Sequence, residues 1–367
     1  MRTMKAAVLY DYNTPMVIEE VQLDDPGPNE VLVKMTASGV CRSDLHVLKG
    51  EWKPPLPTIL GHEAAGRVAA VGPGVTRVKA GDPIVLSFKP NCGYCEQCMS
   101  GHPHLCTGFR GPAGTLPGGH TRLSKDGQPI HHFASTSSFA EYAVIHESSA
   151  VAIGPETSLE LAALVGCSVT TGVGAVLNTA QVRPGSTVAV IGCGGVGLNV
   201  IQGAQFANAS RIIAVDISQE KLEFAERFGA TDTVDAREEN PVQAIRRLTG
   251  GGADYAFEVL GSGETVRTAF DSIRSGGTAV AVGMAAVGEF AQIDAYLLAA
   301  QEKTLKGCFY GSARTHVDMP KYIALAQAGK LDLDSLVTRH YPLEEINEAY
   351  DALDRGEVGR GLIVFDS

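Results

Sequence analysis

The chain has 367 residues, more than one hydrophobic core comfortably serves, so two domains are expected. It is 44% hydrophobic and 19% charged with a net charge of −11, a balance that argues against nucleic acid or an anionic membrane surface as a partner. No apolar run approaches the roughly 20 residues of a membrane span. The opening MRTMKAAVLYDYNTP lacks a secretory apolar core, which points to the cytoplasm, where eight cysteines read as metal ligands before disulfides.

Residues 1 to about 90 read as β-rich: Lys5–Tyr10, Met16–Gln22 and Glu30–Ala37 are strand-like runs separated by Asn-Thr-Pro and Asp-Asp-Pro-Gly-Pro turns. Cys41-Arg42-Ser43-Asp44-Leu45-His46 follows, then Gly61-His62-Glu63, and Cys167 stands later in LVGCSVTTG. Taken singly, each cysteine reads as a small buried hydrophobe and His62 as a core histidine. Taken together, Cys41, His62 and Cys167 supply two thiolates and one imidazole, leaving the fourth tetrahedral position of zinc for water or substrate. Between them NCGYCEQCMSGHPHLC spaces Cys92, Cys95, Cys98 and Cys106 at intervals of 3, 3 and 8. Four thiolates so close can close a structural zinc site; an iron–sulfur cluster or four idle thiols are the alternatives. His102 and His104 inside this loop read as surface histidines, because four thiolates already saturate the metal.

The most organised stretch runs from Thr187 to Asp216. An apolar run, Val188–Ile191, leads into Gly192-Cys193-Gly194-Gly195-Val196-Gly197, then a helix-competent segment, then a second apolar run, Arg211–Val215, closed by Asp216. Strand, glycine turn, helix, strand and acid is the order a dinucleotide needs. Gly192 permits the tight turn, Gly194 the approach of a pyrophosphate, and Gly197 close packing of helix on strand. Asp216, 19 residues beyond Gly197, suits the hydroxyls of an adenosine ribose and repels a phosphate there, which favours NAD over NADP. Asp254–Val259 and Thr278–Val282 read as later strands of the same sheet, and Gly250-Gly251-Gly252 as a turn.

GVCRSDLH, GHEAAGRV, the four-cysteine lobe, VGCSVTTG, VIGCGGVG and the terminal GRGLIVF together resemble the zinc-dependent medium-chain alcohol dehydrogenases over essentially the whole chain. The section HTRLSKDGQPIHHFASTSSFAEYAV resembles the long-chain subgroup that includes the glutathione-dependent formaldehyde dehydrogenases. The resemblance implies an α/β protein in which a doubly wound, parallel Rossmann sheet is inserted in a GroES-like, β-rich catalytic domain. The expected boundaries are 1–168 for the catalytic domain with its lobe at 91–106, 169–310 for the NAD domain, and 311–367 for the return. Segments around Ala285–Ile293 and Thr304–Phe309 are expected to carry the edge strand through which such domains dimerise. A homodimer is expected, with a tetramer as the alternative.

The same resemblance assigns roles. Cys41, His62 and Cys167 hold a catalytic zinc and Cys92, Cys95, Cys98 and Cys106 a structural one, two zinc ions per subunit. Ser43 accepts the substrate proton and His46 passes it toward solvent through the nicotinamide ribose. Asp44 orients the zinc-bound imidazole, and Glu63 is an alternative ligand. Thr171 packs behind the nicotinamide, Arg42 and Arg360 neutralise the pyrophosphate, and Lys221 helps hold the adenosine ribose. Trp52, Phe88, Phe133 and Met284 line the substrate channel. The expected activity is reversible hydride transfer between a primary aliphatic or aryl alcohol and NAD. Two alternatives stand beside it: a formaldehyde dehydrogenase acting on a thiol adduct, with Arg110 holding the thiol's carboxylate, and a non-catalytic NAD-binding relative. Against the former, the loop after His46 carries a single acid, Glu51, and Ser43 is the free-alcohol type of residue.

Overall fold

A computed structural model describes residues 1–109, 111–357 and 359–366. The chain forms two units. Met1–Cys167, Arg314–Gly329 and the chain from Leu333 on make the first; Ser168–Ala313 with Lys330–Asp332 makes the second.

In the first unit, Arg2–Leu9 and Val17–Leu23 pair antiparallel, and with Leu123–Lys125, Gln128–His132 and Thr58–Ile59 they close a small barrel. The long strand Glu30–Gly39 centres a second sheet. It pairs antiparallel with Ala64–Val71, with Tyr142–His146 and with the late strand Arg360–Val364, where Leu362 faces Gly39. A strand more than 300 positions downstream therefore completes the sheet built by the first 71 residues. Leu9, Leu23, Leu60 and Phe139 pack the barrel, and Val33, Met35 and Ile84 pack the sheet. Just beyond Gly39 the chain leaves the sheet and turns into helix α1, Arg42–Leu48.

The second unit is built on six strands, all paired in parallel: β1 (Thr187–Ile191), β2 (Arg211–Asp216), β3 (Asp232–Asp235), β4 (Ala253–Glu258), β5 (Ile273–Ala281) and β6 (Thr304–Gly307). Their order is β3-β2-β1-β4-β5-β6. This is the doubly wound order, whose direction reverses between β1 and β4 and so opens a crevice at the carboxyl ends of those strands. Both faces of β1 and β2 are buried, as parallel strands covered by helices require. Helix α2, Gly195–Phe206, starts immediately after β1.

Of the two segments expected to carry the edge strand, the later one does so as β6. Residues 285–293 run irregularly, because Gly288 at φ +93° closes a turn in which Glu289 N–H donates to Ala286 C=O. β6 forms one edge of the sheet, and apolar residues that precede it in sequence lie open to solvent: Val287, Phe290 and Tyr296 are 88%, 85% and 77% exposed, and helix Ala295–Ala300 buries none of its residues. Among the described residues no single helix is long and apolar enough to cross a membrane.

Candidate active site and metal centres

α1 begins on Cys41 and carries Ser43, Asp44 and His46 within two turns. Asp44 is fully buried; its Oδ1 accepts from the Gly61 backbone N–H at 2.9 Å and from His62 Nδ1 at 3.2 Å. That bond fixes the imidazole tautomer and leaves Nε2 as the ligand. The donor atoms of Cys41, His62 and Cys167 lie within 4.8 Å of one another, all three residues buried. Burial alone would discharge the His62 imidazolium, but Asp44 and the Cys41 thiolate overcome it and push the ring up to about 10. A hydrogen bond from Cys167, helped by His62 and opposed by burial, holds the Cys41 thiol well below its ordinary value. The pocket thus concentrates negative charge around one proton, and a dication can take that proton's place.

Behind this set, Glu63 is fully buried and ion-paired with Arg360, itself only 5% exposed. A Cβ at Gly39 would meet the Glu63 carboxylate at 2.5 Å, so glycine there makes the room that the acid occupies. Arg360, expected on a pyrophosphate, spends charge on Glu63 while its Nε has no hydrogen-bond partner among the described residues. Tyr350 lies buried beside Asp44; burial first, then the Asp44 carboxylate, push its phenol well above the usual range.

Phe88 and Phe133 present ring edges to His62, at centroid distances of 5.4 and 5.9 Å. Phe133 is held there by a turn in which Ala134, Ser135 and Ser137 all take φ near +50°, with Thr136 Oγ1 and Ser138 N–H both donating to Gly61 C=O. That strain is offset by the hydrogen bonds it permits next to a metal ligand. A cavity of about 260 Å³ opens beside Phe88, walled by Pro112, Leu116, Ala134 and Ser135. The segment forming that wall is anchored by buried Glu30, which accepts from His120 Nε2 at 2.6 Å and Arg122 Nε at 2.8 Å. Arg110 lies outside the described residues. Trp52, expected in the channel, stacks on His46 at 4.7 Å, and Met284 belongs to the second unit, where it is 47% exposed.

In the four-cysteine lobe the sulfurs also lie within 4.8 Å of one another. The Cys95 and Cys106 sulfurs are 3.9 Å apart, against about 3.8 Å for a tetrahedral zinc with Zn–S bonds near 2.3 Å. Backbone N–H groups of Cys92, Cys95 and Gly108 point at the sulfurs of Cys106, Cys92 and Cys106 at 3.3 to 3.4 Å. Backbone donors of this kind pull the Cys95 thiol down to about 5, whereas burial pushes Cys98 up to about 12. His102 is exposed as expected, but His104 is buried: the short helix Pro103–Leu105 turns it inward against the lobe, which spacing alone does not reveal.

At the second unit's glycine turn, Gly192 takes φ +104° and a Cβ at Gly197 would strike Gly192 C=O at 1.9 Å. Gly194 is different: a Cβ there meets nothing within 4 Å. No atom of the chain demands glycine at that position, which leaves room for a ligand to approach the backbone. Gly195 and Val196 open α2 behind it, with their N–H groups at the helix start. Asp216 closes β2, 8% exposed; Oδ2 accepts from Cys193 N–H and Oδ1 from Ile217 and Ser218 N–H, which leaves a lone pair on Oδ2. Lys221 sits half-buried in the first turn of the next helix, Thr171 half-buried in helix Ser168–Gly174, and Arg42 exposed at the start of α1. Ile217, 63% exposed directly after Asp216, offers an apolar face that the sequence reading did not single out.

Residues 27–155 match the alcohol dehydrogenase GroES-like domain, and residues 195–328 the zinc-binding dehydrogenase domain. Full-length structural likeness extends to an alcohol dehydrogenase zinc-binding domain protein from Burkholderia ambifaria, at 37% identity and TM-score 0.95 with both chains fully covered. The chain belongs to the zinc-dependent medium-chain alcohol dehydrogenase family. Benzyl alcohol dehydrogenase from Acinetobacter calcoaceticus is 35% identical, with TM-score 0.95 and full coverage of both chains. A zinc-binding dehydrogenase from Sinorhizobium meliloti 1021 bound to NADP is 28% identical, with TM-score 0.81 and full coverage of both. In a family member, the two donor sets are those that zinc fits.

Because His62 near 10 and Cys98 near 12 hold protons at pH 8, metal must displace them. Zinc added to metal-free protein at pH 8 is expected to acidify a weakly buffered indicator solution, and zinc affinity is expected to rise with pH toward 10. Binding with no proton release would show that both groups are already deprotonated.

Proposed function

We propose that the protein is an NAD-dependent alcohol dehydrogenase that interconverts primary alcohols, aryl ones foremost, with their aldehydes. The observation that carries this reading is the converged Cys41–His62–Cys167 donor set with two aromatic edges, Phe88 and Phe133, against its imidazole. Zinc bound there lowers the pKa of a coordinated alcohol and polarises an aldehyde carbonyl. Ser43, on the turn of α1 after Cys41, accepts the alcohol proton; His46, one turn on, carries it outward. Asp44 keeps His62 in its ligating tautomer, and Glu63, held on Arg360, balances charge behind the site. Phe88 and Phe133 exclude water and favour a flat ring. The benzyl alcohol dehydrogenase at 35% identity supports an aryl preference.

NAD is read from Asp216: its carboxylate is fixed by three backbone N–H groups, keeps a lone pair on Oδ2 for a ribose hydroxyl and would repel a 2′-phosphate. A pyrophosphate would be held at Gly194 and the start of α2; Arg42 and Arg360 are the cations that the family resemblance assigns to it. Lys221 serves the ribose, Ile217 the adenine face and Thr171 the nicotinamide.

The protein acts as a homodimer. Supporting this are the single-sided edge strand β6 and the exposed Val287, Phe290 and Tyr296 near it in sequence, an apolar set that water would leave costly. The absence of any disulfide among the described residues suits a reducing cytoplasm.

With NAD, benzyl alcohol is expected to give NADH faster than a medium-chain aliphatic alcohol, and Cys41→Ala to abolish both rates. Turnover confined to S-hydroxymethyl-glutathione would replace this reading with thiol-adduct oxidation. Asp216→Asn is expected to improve kcat/KM for NADP by roughly tenfold, about 1.4 kcal/mol, while weakening NAD; an unchanged preference would remove Asp216 from the ribose. Val287→Glu with Phe290→Glu is expected to shift the protein to monomer in analytical ultracentrifugation, and an unchanged sedimentation coefficient would place the interface elsewhere.

A further inference from the structure

The end of α1 carries an arrangement that the roles above leave unused. After Leu48 the chain reverses at Gly50, φ +66°, where a Cβ would come within 3.2 Å of the Tyr12 side chain. The reversal sends the N–H groups of both Glu51 and Trp52 back to the His46 carbonyl, at 2.9 and 3.2 Å. The two side chains then close on the His46 ring. The Glu51 carboxylate meets Nδ1, and the Trp52 indole lies over the imidazole at 4.7 Å with an interplanar angle of 24°. His46 is nearly enclosed, its side chain 11% exposed, while Glu51 reaches solvent at 38%. The hydroxyl of Tyr12 on Pro54 C=O pins the far end of the loop.

We propose that Glu51 is the positioning residue and outer end of the proton relay, resting on the dehydrogenase reading above. An ionised carboxylate only accepts, so its partner nitrogen must be Nδ1–H. His46 is thereby locked in the tautomer whose Nε2 is bare and able to receive a proton from the inner side. When Nε2 takes the proton lost by the alcohol, the imidazolium is paired with Glu51 and stacked on the Trp52 ring. The Nδ1 proton then leaves by way of the exposed carboxylate to water, and the neutral ring is regenerated. Each turnover balances: the alcohol gives a hydride to NAD and one proton to His46, and one proton leaves through Glu51. In aldehyde reduction the proton travels inward by the same route. Of the other charges near this helix, Lys49 pairs with Asp354 of helix Ile346–Asp354 and Asp44 with His62. Glu51 is therefore the one carboxylate bonded to the His46 ring among the described residues. A single acid at this loop suffices for a relay, where a carboxylate-bearing thiol adduct would call for a different use of charge.

The test uses zinc-loaded, full-length protein with Glu51→Gln, Glu51→Asp, His46→Gln and the double variant. Glu51→Gln is expected to lower kcat for benzyl alcohol oxidation about tenfold at pH 7, a fraction of the 10²–10⁴ that a complete acid–base group supplies. KM for alcohol and NAD should move less than about twofold. The deficit should shrink as pH rises and solvent takes the proton unaided, and Glu51→Asp should recover most of the rate. The double variant should be no slower than His46→Gln, since the two act in series. Independently of turnover, nitrogen NMR of His46 should show a single Nδ1–H tautomer in the parent and a mixture in Glu51→Gln. A parent-like pH profile, additive losses in the double variant, or an unchanged tautomer would overturn the proposal. If the parent turns over no alcohol while its tautomer responds to Glu51, the activity reading fails and the positioning role stands.

Discussion

A buried carboxylate with a hydrogen bond to a buried imidazole holds the catalytic end of the first unit together. Asp44 has no solvent to stabilise its charge, and it is tolerable there because Gly61 N–H and His62 share one of its oxygens. Those two partners lie 17 and 18 residues further along the chain, so the contact ties the helix to the segment that follows strand Thr58–Ile59. It also decides which ring nitrogen faces Cys41 and Cys167. Without the acid, burial would favour the neutral ring, and the Cys41 thiolate alone would be left to orient it.

The wider site repeats this logic of acids holding bases. Glu63 holds Arg360, Glu30 holds His120 and Arg122, and Glu51 holds His46. The first is buried on both sides and costly to break, and the second is buried on its acidic side only. The third is open to water on its acidic side, which suits a group that must exchange protons instead of store them. A protein with a net charge of −11 thus places part of its acidic excess where each carboxylate fixes the orientation of one particular base.

Features whose residues are close in sequence were legible before any coordinates. The four-cysteine spacing and the run from Thr187 to Asp216 each encode their own geometry, because turn, helix start and acid follow within one supersecondary unit. The convergence of Cys41 with Cys167, and of Glu63 with Arg360 almost 300 residues later, depends on sheet register and could only be carried by family resemblance. His104 was misread because exposure was inferred from saturation of the metal, while a three-residue helix decided it. The irregular path of residues 285–293 was hidden by apolar residues that suggest a strand, though Gly288 interrupts them. The approach of Glu51 to His46 turns on one glycine reversal that composition does not flag.

The discontinuity of the first unit has a consequence for how the molecule is made. Its central strand, Glu30–Gly39, lacks one neighbour until Arg360–Val364 has been synthesised, whereas the nucleotide unit is almost contiguous and has its sixth strand by Gly307. During vectorial synthesis the inserted unit is therefore the first that can complete its sheet. Until the last strand arrives, the edge beside Gly39 stays open and Glu63 waits for its arginine, so the catalytic pocket is finished last.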